Sequence, residues 1–223
     1  VVPVENSTEG VVNTTLDSFT HASVTICGEV ELRIHHHLML GKNTREDAIT
    51  RIYSHQQSFA QCRQWLDAHY PTADHIPVSS NADAARRMQS EWNAAAIAGE
   101  VAAEMYGLKV VASNIEDNPH NSTRFLIVGR EHVPASGEDK TSIIVSMKNK
   151  PGALYELLAP FHEAGIMLTR VETRPSRDGT WAYLFFIDFE GHENTDAIKG
   201  ALRRVEDMAV YVKRLGSYPK AVL

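Results

Sequence analysis

The last third of the chain carries an order of strand-like and helix-like segments that few folds can accommodate. Strands alternate apolar and polar residues with a period of two, whereas helices repeat apolar residues every three to four positions. The segments run strand, helix, strand, strand, helix, strand over 141–147, 153–165, 166–175, 181–191, 193–207 and 209–215. This order predicts the split βαβ arrangement of a ferredoxin-like fold.

Local signals mark the ends of these segments. Pro151-Gly152 opens the first helix, and Gly165 ends it as a C′ residue. The sequence RDGT at 177–180 predicts the turn between the two middle strands.

A polar segment separates this region from the rest of the chain. Residues 131–140 contain Pro134, Ser136 and Gly137 and favour a linker. We therefore expect one domain over 1–130 and a second over 141–223.

The first of these domains alternates short strands with helices, which predicts an α/β fold with largely parallel strands and ligands at the strand ends. The expected strands are 1–5, 24–40, 49–54, 94–98 and 124–130, and the expected helices are 58–70, 81–92 and 99–107.

Charge and cysteine content exclude several classes of function. The chain has 28 acidic and 22 basic residues and a net charge of −6, so no overall positive field attracts nucleic acid or an anionic membrane surface. Cys27 and Cys62 form no Cys-x-x-Cys pair, so neither a zinc ribbon nor a disulfide framework is indicated. With no signal peptide or long apolar run, we expect a cytoplasmic protein.

Polar side chains follow the first strand directly. Glu5, Asn6 and Ser7 precede Thr8 and Glu9, an order typical of a helix N-cap. The same groups could instead contact a ligand, and the spacing alone leaves both interpretations open.

A second polar cluster precedes the strand FLIVG. Arg124 could hold a carboxylate through two parallel hydrogen bonds, and Thr123 offers a hydroxyl to the same ligand. The alternative is an arginine at a strand edge in a weak surface ion pair.

Two histidine-containing segments suggest further chemistry. Ser54 and His55 are adjacent, but neighbours on an extended backbone point to opposite faces, and no G-x-S-x-G elbow is present. Ser54 is better explained as a ligand contact beside a helix N-terminus. The run from His35 to His37 lacks the partners of a metal site, so we expect a strand at a domain crossing there.

Taken together, these segments resemble the prephenate dehydratase family nearly end to end. The matching motifs, in the family's order, are PVENSTEG, GEVELRIHHHLM, YSHQQSFAQC, AAIAGEVAAEMYGL and NSTRFLIVG. The C-terminal part resembles an ACT regulatory domain through KPGALYELL and through Glu172-Thr173-Arg174-Pro175, where Thr173 replaces the usual serine.

The resemblance implies a bilobal catalytic domain similar to type II periplasmic binding proteins. Such an enzyme converts prephenate to phenylpyruvate in phenylalanine biosynthesis, and it needs no metal or organic cofactor because formation of the aromatic ring drives the step. Thr123 would hydrogen-bond or protonate the leaving hydroxyl, and Arg124 would anchor a substrate carboxylate. The remaining residues implied for the cleft are Glu5, Asn6, Ser7, Ser54, Gln61 and Phe125.

For the second domain the resemblance implies feedback inhibition by L-phenylalanine. The implied pocket lies between ACT domains of different subunits, so a homodimer or homotetramer is expected. Its residues would be Pro151, Gly152, Ala153, Leu154, Glu172, Thr173, Arg174 and Pro175.

One departure from the family concerns the start of the chain. The Gly-rich GPxGTFS segment and the elements after it do not precede Val1, so we expect a truncated first lobe and an inactive fragment. The sequence resembles bifunctional versions in which a chorismate mutase domain comes first. The alternative function is a non-catalytic amino-acid sensor on the same scaffold.

Overall fold

The computed structural model of the protein describes residues 1–176 and 183–221. The strands are Val2–Asn6 (β1), Gly10–Val11 (β2), Thr25–Arg33 (β3), His37–Leu40 (β4), Arg51–Ser54 (β5), Asp74–Pro77 (β6), Ala94–Ala98 (β7), Lys109–Ala112 (β8), Ser122–Gly129 (β9), Asp139–Ser146 (β10), Leu168–Pro175 (β11), Tyr183–Glu190 (β12) and Tyr211–Pro219 (β13). The α-helices are Asn13–His21 (α1), Gln56–Gln61 (α2), Arg63–His69 (α3), Asn81–Arg87 (α4), Glu100–Tyr106 (α5), Ala153–Glu163 (α6) and Asp196–Met208 (α7), and Glu46–Ala48 forms a 3₁₀ turn.

These elements form two compact units. Residues 1–32 and 123–223 make the first unit, and residues 33–122 make the second. The first unit therefore joins both ends of the chain, because the early strands pack with the C-terminal sheet.

The C-terminal half of the first unit has the predicted order of strands and helices. Its antiparallel sheet runs β11-β12-β10-β13. Helices α6 and α7 cover one face, where Ile143 and Ile187 pack with Leu157, Phe161 and Leu202. The split βαβ prediction is confirmed, while the turn predicted at 177–180 and the first two residues of the strand predicted from 181 lie outside the described residues.

The opposite face of that sheet packs against the beginning of the chain. Strands β2-β1-β9-β3 form a second sheet in that order, and α1 lies with it. Val4, Leu16 and Leu126 bury their side chains against Ile144 and Phe186 of the C-terminal sheet. The two central strands β10 and β12 are thus buried on both faces, which explains the apolar runs 143–145 and 184–187.

The second unit is built on a five-stranded sheet ordered β6-β5-β7-β4-β8. Strand β5 pairs in parallel with β6 and β7, and β4 pairs antiparallel with β7 and β8. Four of the five strands therefore run the same way, as the alternating pattern predicts for an α/β domain. In the sheet of β1, by contrast, β2 and β9 both pair with β1 antiparallel.

Some boundaries differ from the sequence prediction. The strand expected over 24–40 is broken between β3 and β4, because the backbone N–H of Ile34 donates to Asn121 and that of His36 donates to the Glu116 carboxylate. The helix expected over 58–70 begins at Gln56 and is divided at Cys62. Residues 139 and 140 of the predicted linker belong to β10.

The N-cap interpretation of Asn6 is wrong for a helix. Its side-chain oxygen does accept the backbone N–H groups of Thr8 and Glu9, each at 2.9 Å. The chain there turns back into β2 instead of entering a helix, and α1 begins only at Asn13. The local hydrogen bonds are those of a cap, used to build a turn.

Among the described residues, no helix combines the length and the apolar character required to cross a membrane.

Candidate functional site

The first group of candidate residues lies where β1 and β9 pair. Asn6 stands opposite Thr123, and Glu5 stands opposite Arg124. The Asn6 amide nitrogen donates to the Thr123 hydroxyl oxygen at 2.8 Å, and both side chains are buried. Two residues 117 positions apart therefore form one polar pair, as expected for two residues that the family resemblance places in the same cleft.

The geometry of this pair assigns a direction to the threonine hydroxyl. The Asn6 oxygen is held by two backbone N–H groups, so its nitrogen is the atom that faces Thr123. Since Thr123 accepts that hydrogen bond, its own O–H remains a donor. A hydroxyl oriented in this way can give a hydrogen bond, or a proton, to an oxygen bound beside it.

The other residues of this group lie next to the pair in the sequence. Ser7 is exposed in the turn after β1, Phe125 is half-buried opposite Pro3, and Glu5 has its carboxylate 3.8 Å from the guanidinium of Arg170.

Arg124 points away from the Asn6–Thr123 pair. Its Nε donates to Glu29 at 2.7 Å, one Nη donates to Asp188 at 2.7 Å, and the other donates to the Tyr218 hydroxyl at 3.1 Å. Only 14% of its side chain is exposed. The sequence predicted an arginine open to a substrate carboxylate. In the structure the guanidinium of Arg124 is instead bound by the carboxylates of Glu29 and Asp188.

Electrostatics favour the charged forms of Glu29 and Arg124. Burial opposes the charge of Glu29, but the hydrogen bond from Lys140 and the charge of Arg124 outweigh it and hold the pKa of that carboxyl below its usual value. Burial also opposes the charge of Arg124, yet Asp188, Tyr218 and Glu29 raise its pKa above the ordinary range. The cluster is a buried set of matched charges.

The second group of candidate residues lies in the unit 33–122. Ser54 is fully buried at the end of β5, and its hydroxyl lies 3.0 Å from both the Asn81 side-chain oxygen and the Ile97 carbonyl. His55 instead accepts the N–H of Gln57 through its ring. These contacts point Ser54 and His55 in different directions and argue against a Ser-His nucleophile.

Gln61 belongs to a histidine cluster in the same unit. Its side-chain oxygen lies 2.7 Å from Nε2 of His36. Glu116 contacts the ring of His35 at 2.7 Å and the N–H of His36 at 2.9 Å. Burial opposes the charge of Glu116, but these hydrogen bonds hold the pKa of its carboxyl below the usual value.

This cluster borders a cavity of about 430 Å³ within the unit. Its lining residues are Arg33, Ile34, His35, His36, His37, Asn81, Gly99, Glu100 and Asn114. Burial lowers the pKa of His37, against the opposing charges of Glu100 and Glu116. In the described part of the chain, no group of three or more His, Cys, Asp or Glu is arranged to hold a metal ion.

The third group, predicted as an effector pocket, spans α6 and β11. Gly152 adopts a left-handed conformation with φ of +83° directly before α6, and Leu154 is exposed on that helix. Pro151 and Ala153 flank Gly152 in sequence. The loop therefore uses glycine where another residue would be strained.

On β11 the four predicted residues divide between two faces. Thr173 and Pro175 are exposed, whereas Glu172 and Arg174 are half-buried. The Arg174 guanidinium contacts both carboxylate oxygens of Asp17 on α1, at 2.9 and 3.1 Å.

Sequence reasoning missed several partners in these groups. Asn81, which binds Ser54, follows an unremarkable helix-capping serine, and Glu29 lies in the quoted GEVELRI segment without a signal of its own. Asp188 and Tyr218 belong to apolar strands and show no local pattern. These partners lie far from the predicted residues in the sequence, and only the fold brings them together.

Comparison with known proteins gives a consistent result. The prephenate dehydratase family matches residues 1–133, and the ACT domain family matches residues 141–207. A bifunctional chorismate mutase/prephenate dehydratase of Stutzerimonas stutzeri is 66% identical over all 223 residues. The chain spans 61% of that relative's length.

Solved structures share the fold. The prephenate dehydratase of Arthrobacter aurescens in complex with L-Phe has a TM-score of 0.90 and 37% identity, covering 99% of this chain and 74% of that one. GqqA, described as a novel type of quorum quenching acylase, has a TM-score of 0.88 and 29% identity, covering 99% of this chain and 81% of that one.

Proposed function

Because the chain belongs to the prephenate dehydratase family, we propose that the protein containing it converts prephenate to phenylpyruvate. The hydrogen-bonded pair of Asn6 and Thr123 is the observation that carries this proposal. In this pair the Thr123 hydroxyl is an oriented donor, and both residues lie within the part of the chain that matches the family.

The reaction needs a proton at one atom. The bond between the ring and its carboxylate breaks and releases carbon dioxide, and its electron pair enters the ring. The bond between the opposite ring carbon and its hydroxyl then breaks, and the hydroxyl takes up a proton and leaves as water. Thr123 donates to that hydroxyl as general acid, and Asn6 holds the threonine in place.

Other predicted contacts keep their proposed roles within each unit. Glu5, Ser7 and Phe125 lie within two residues of Asn6 or Thr123 in the sequence and are proposed as further contacts of the cleft. Ser54 and Gln61 are proposed as ligand contacts, supported by the fixed positions that Asn81 and His36 give them. No step requires a metal or an organic cofactor, because ring aromatisation provides the driving force.

We further propose that L-phenylalanine binds the ACT domain and inhibits the reaction. The bound L-Phe of the Arthrobacter aurescens enzyme supports this, as does the glycine at the start of α6. The pocket residues are those predicted between Pro151 and Leu154 and between Glu172 and Pro175, at an interface of a homodimer or homotetramer.

The location of the protein in the cell and its further domain are also proposals. Cys27 and Cys62 are both unpaired, which supports a reducing cytoplasm. The bifunctional relative supports a chorismate mutase domain in the full-length protein.

The test is a product assay on the full-length protein. Prephenate should give phenylpyruvate and carbon dioxide in equal amounts, and L-phenylalanine should slow the reaction. Binding of L-phenylalanine without turnover would favour the amino-acid sensor instead. Hydrolysis of an acylated amine with prephenate left intact would favour an activity like that named for GqqA.

A further inference from the structure

Strands β1 and β9 carry a second pair of residues on the face opposite to Asn6 and Thr123. In the register of β1 and β9, Asn6 faces Thr123 and the preceding position pairs Glu5 with Arg124. Successive side chains of a strand point to opposite faces. The Asn6–Thr123 pair therefore has the charged pair behind it.

The charged pair reaches the ACT sheet at two points. Arg124 donates to Asp188 on β12, and the carboxylate of Glu5 lies 3.8 Å from Arg170 on β11. Asp188 and Arg170 are themselves opposite each other in the β11–β12 pairing. Asn6 and Thr123 are thus each adjacent in sequence to a residue, Glu5 or Arg124, that contacts the Arg170–Asp188 position of the regulatory sheet.

The contact between Arg124 and Asp188 belongs to a larger network of hydrogen bonds. Asp188 accepts from Ser142 at 2.6 Å, and Ser142 lies 2.7 Å from the Tyr218 hydroxyl that Arg124 also contacts. On the other side, Glu29 accepts from Lys140 at 2.8 Å. Turning Arg124 toward a substrate would remove the cation bound to buried Asp188 and leave buried Glu29 with Lys140 alone, which is strongly unfavourable.

We propose that Arg124 is a positioning residue that ties Thr123 to the regulatory sheet through Asp188. The proposal rests on the proposed dehydratase function. Strand β11 carries the predicted effector residues and pairs directly with β12, so a shift of β11 on effector binding reaches Arg124 through Asp188. The coupling runs through hydrogen-bonded neighbours in one compact unit.

The test compares two substitutions in the full-length protein. Arg124→Lys and Asp188→Asn should each lower kcat by about 10- to 100-fold, because Thr123 is misplaced, with little change in KM. The double variant should be no slower than the worse single variant, since both remove one interaction. Each should also shift the half-inhibiting L-phenylalanine concentration by roughly fivefold or more.

A matched control removes an exposed carboxylate of the same domain. Glu163 pairs with Arg204 on the surface at 2.7 Å, so Glu163→Gln should leave kcat, KM and inhibition unchanged. The proposal is overturned if Arg124→Lys raises KM while Asp188→Asn behaves as wild type. That result would assign Arg124 to a substrate carboxylate.

A second measurement needs no enzymatic activity. Hydrogen exchange at the amides of β9 should be faster in Asp188→Asn and in Tyr218→Phe, which removes only one hydroxyl and keeps the buried ring. Unchanged exchange in both variants would contradict the coupling. A wild-type protein that forms no phenylpyruvate would instead refute the dehydratase function, and the exchange experiment would still decide the coupling.

Discussion

The amide nitrogen of Asn6 lies 2.8 Å from the hydroxyl oxygen of Thr123, on strands that are antiparallel neighbours. The Asn6 oxygen is simultaneously held by the backbone of Thr8 and Glu9. One side chain thus shapes a turn with its oxygen and orients a hydroxyl with its nitrogen. The two roles can be separated by substitution.

Asn6→Asp should keep the fold and lose activity. The carboxylate still accepts the two backbone N–H groups, but when ionised it cannot donate to Thr123. We expect kcat for phenylpyruvate formation to fall by about 100-fold or more while Tm changes little. Asn6→Ala should lower both, because the turn also loses its acceptor. Equal kcat in Asn6→Asp and wild type would rule out the orienting role.

Thr123→Val tests the hydroxyl itself. Valine has nearly the shape of threonine, so the buried site stays filled, but no proton donor remains. We expect kcat to fall by about 10² to 10⁴-fold, whereas Thr123→Ser should retain much of the rate. Thr72→Val makes the same change at an exposed position and serves as the control. Turnover of the Thr123→Val enzyme at the wild-type rate would exclude Thr123 as the acid.

Glu29→Gln should make the free energy of unfolding less dependent on pH in acid. The pKa of Glu29 lies below 4.5 in the folded protein, so its contribution is fully present above about pH 5 and is lost as pH falls through the folded value. We expect Glu29→Gln to lower the free energy of unfolding at neutral pH by roughly 3 kcal/mol, and by less in acid.

Urea unfolding between about pH 3 and pH 7 measures this difference. Glu104→Gln, at an exposed position on α5, should change the free energy by no more than about 0.5 kcal/mol. A constant difference between Glu29→Gln and wild type at every pH would show that the charge of Glu29 contributes nothing.

The two thiols should differ in reactivity. Burial, with the nearby charges of Asp117 and Glu116, raises the pKa of Cys62 to about 12, and the residue is fully buried, whereas Cys27 is only partly buried. Because the thiolate is the reactive form, iodoacetamide should label Cys27 in the folded protein and leave Cys62 unlabelled. Mass spectrometry of the digested protein measures both. Labelling of Cys62 at the same rate without denaturant would contradict its burial.

Gly152→Ala should weaken L-phenylalanine binding. The φ of +83° is costly for alanine by about 1–2 kcal/mol, although no atom lies within 4 Å of the added methyl group. The substitution therefore distorts the start of α6 without filling the pocket. Gly200→Ala adds a methyl group inside α7 with equal space and ordinary backbone, so it should leave binding intact. Calorimetry in which both variants bind like wild type would place the ligand elsewhere.

The sequence predicts the C-terminal domain well because its signals are local. The strands are short apolar or alternating segments, the helices repeat apolar residues every three to four positions, and Gly165 follows α6 with a positive φ as its position suggests. Helix α1 was missed because Asn13 to His21 contains mainly polar and β-branched residues with low helix propensity. Burial of Leu16 and Phe19 and hydrogen bonds from Lys213 to the final carbonyl groups stabilise it.

The surroundings of Arg124 could not be predicted in the same way. Its partners Glu29 and Asp188 lie 95 and 64 positions away, and no local spacing relates them to the Thr-Arg-Phe motif. The sequence predicted that the permanently charged Arg124 pairs with an anion, either a ligand carboxylate or a surface carboxylate of the protein. Whether that anion is a substrate or the protein itself depends on strand pairing, which only the fold determines.

The two ends of the segment from Arg33 to Ser122 are hydrogen-bonded to each other. The N–H of Ile34 donates to the carbonyl of Asn121 at 2.9 Å. The chain thus leaves and re-enters the other unit at neighbouring points. Insertions or deletions inside this segment change the spacing between Asn6 and Thr123 in the sequence without changing their register. During evolution the segment can therefore vary in length while the strands that carry Asn6 and Thr123 stay paired as they are.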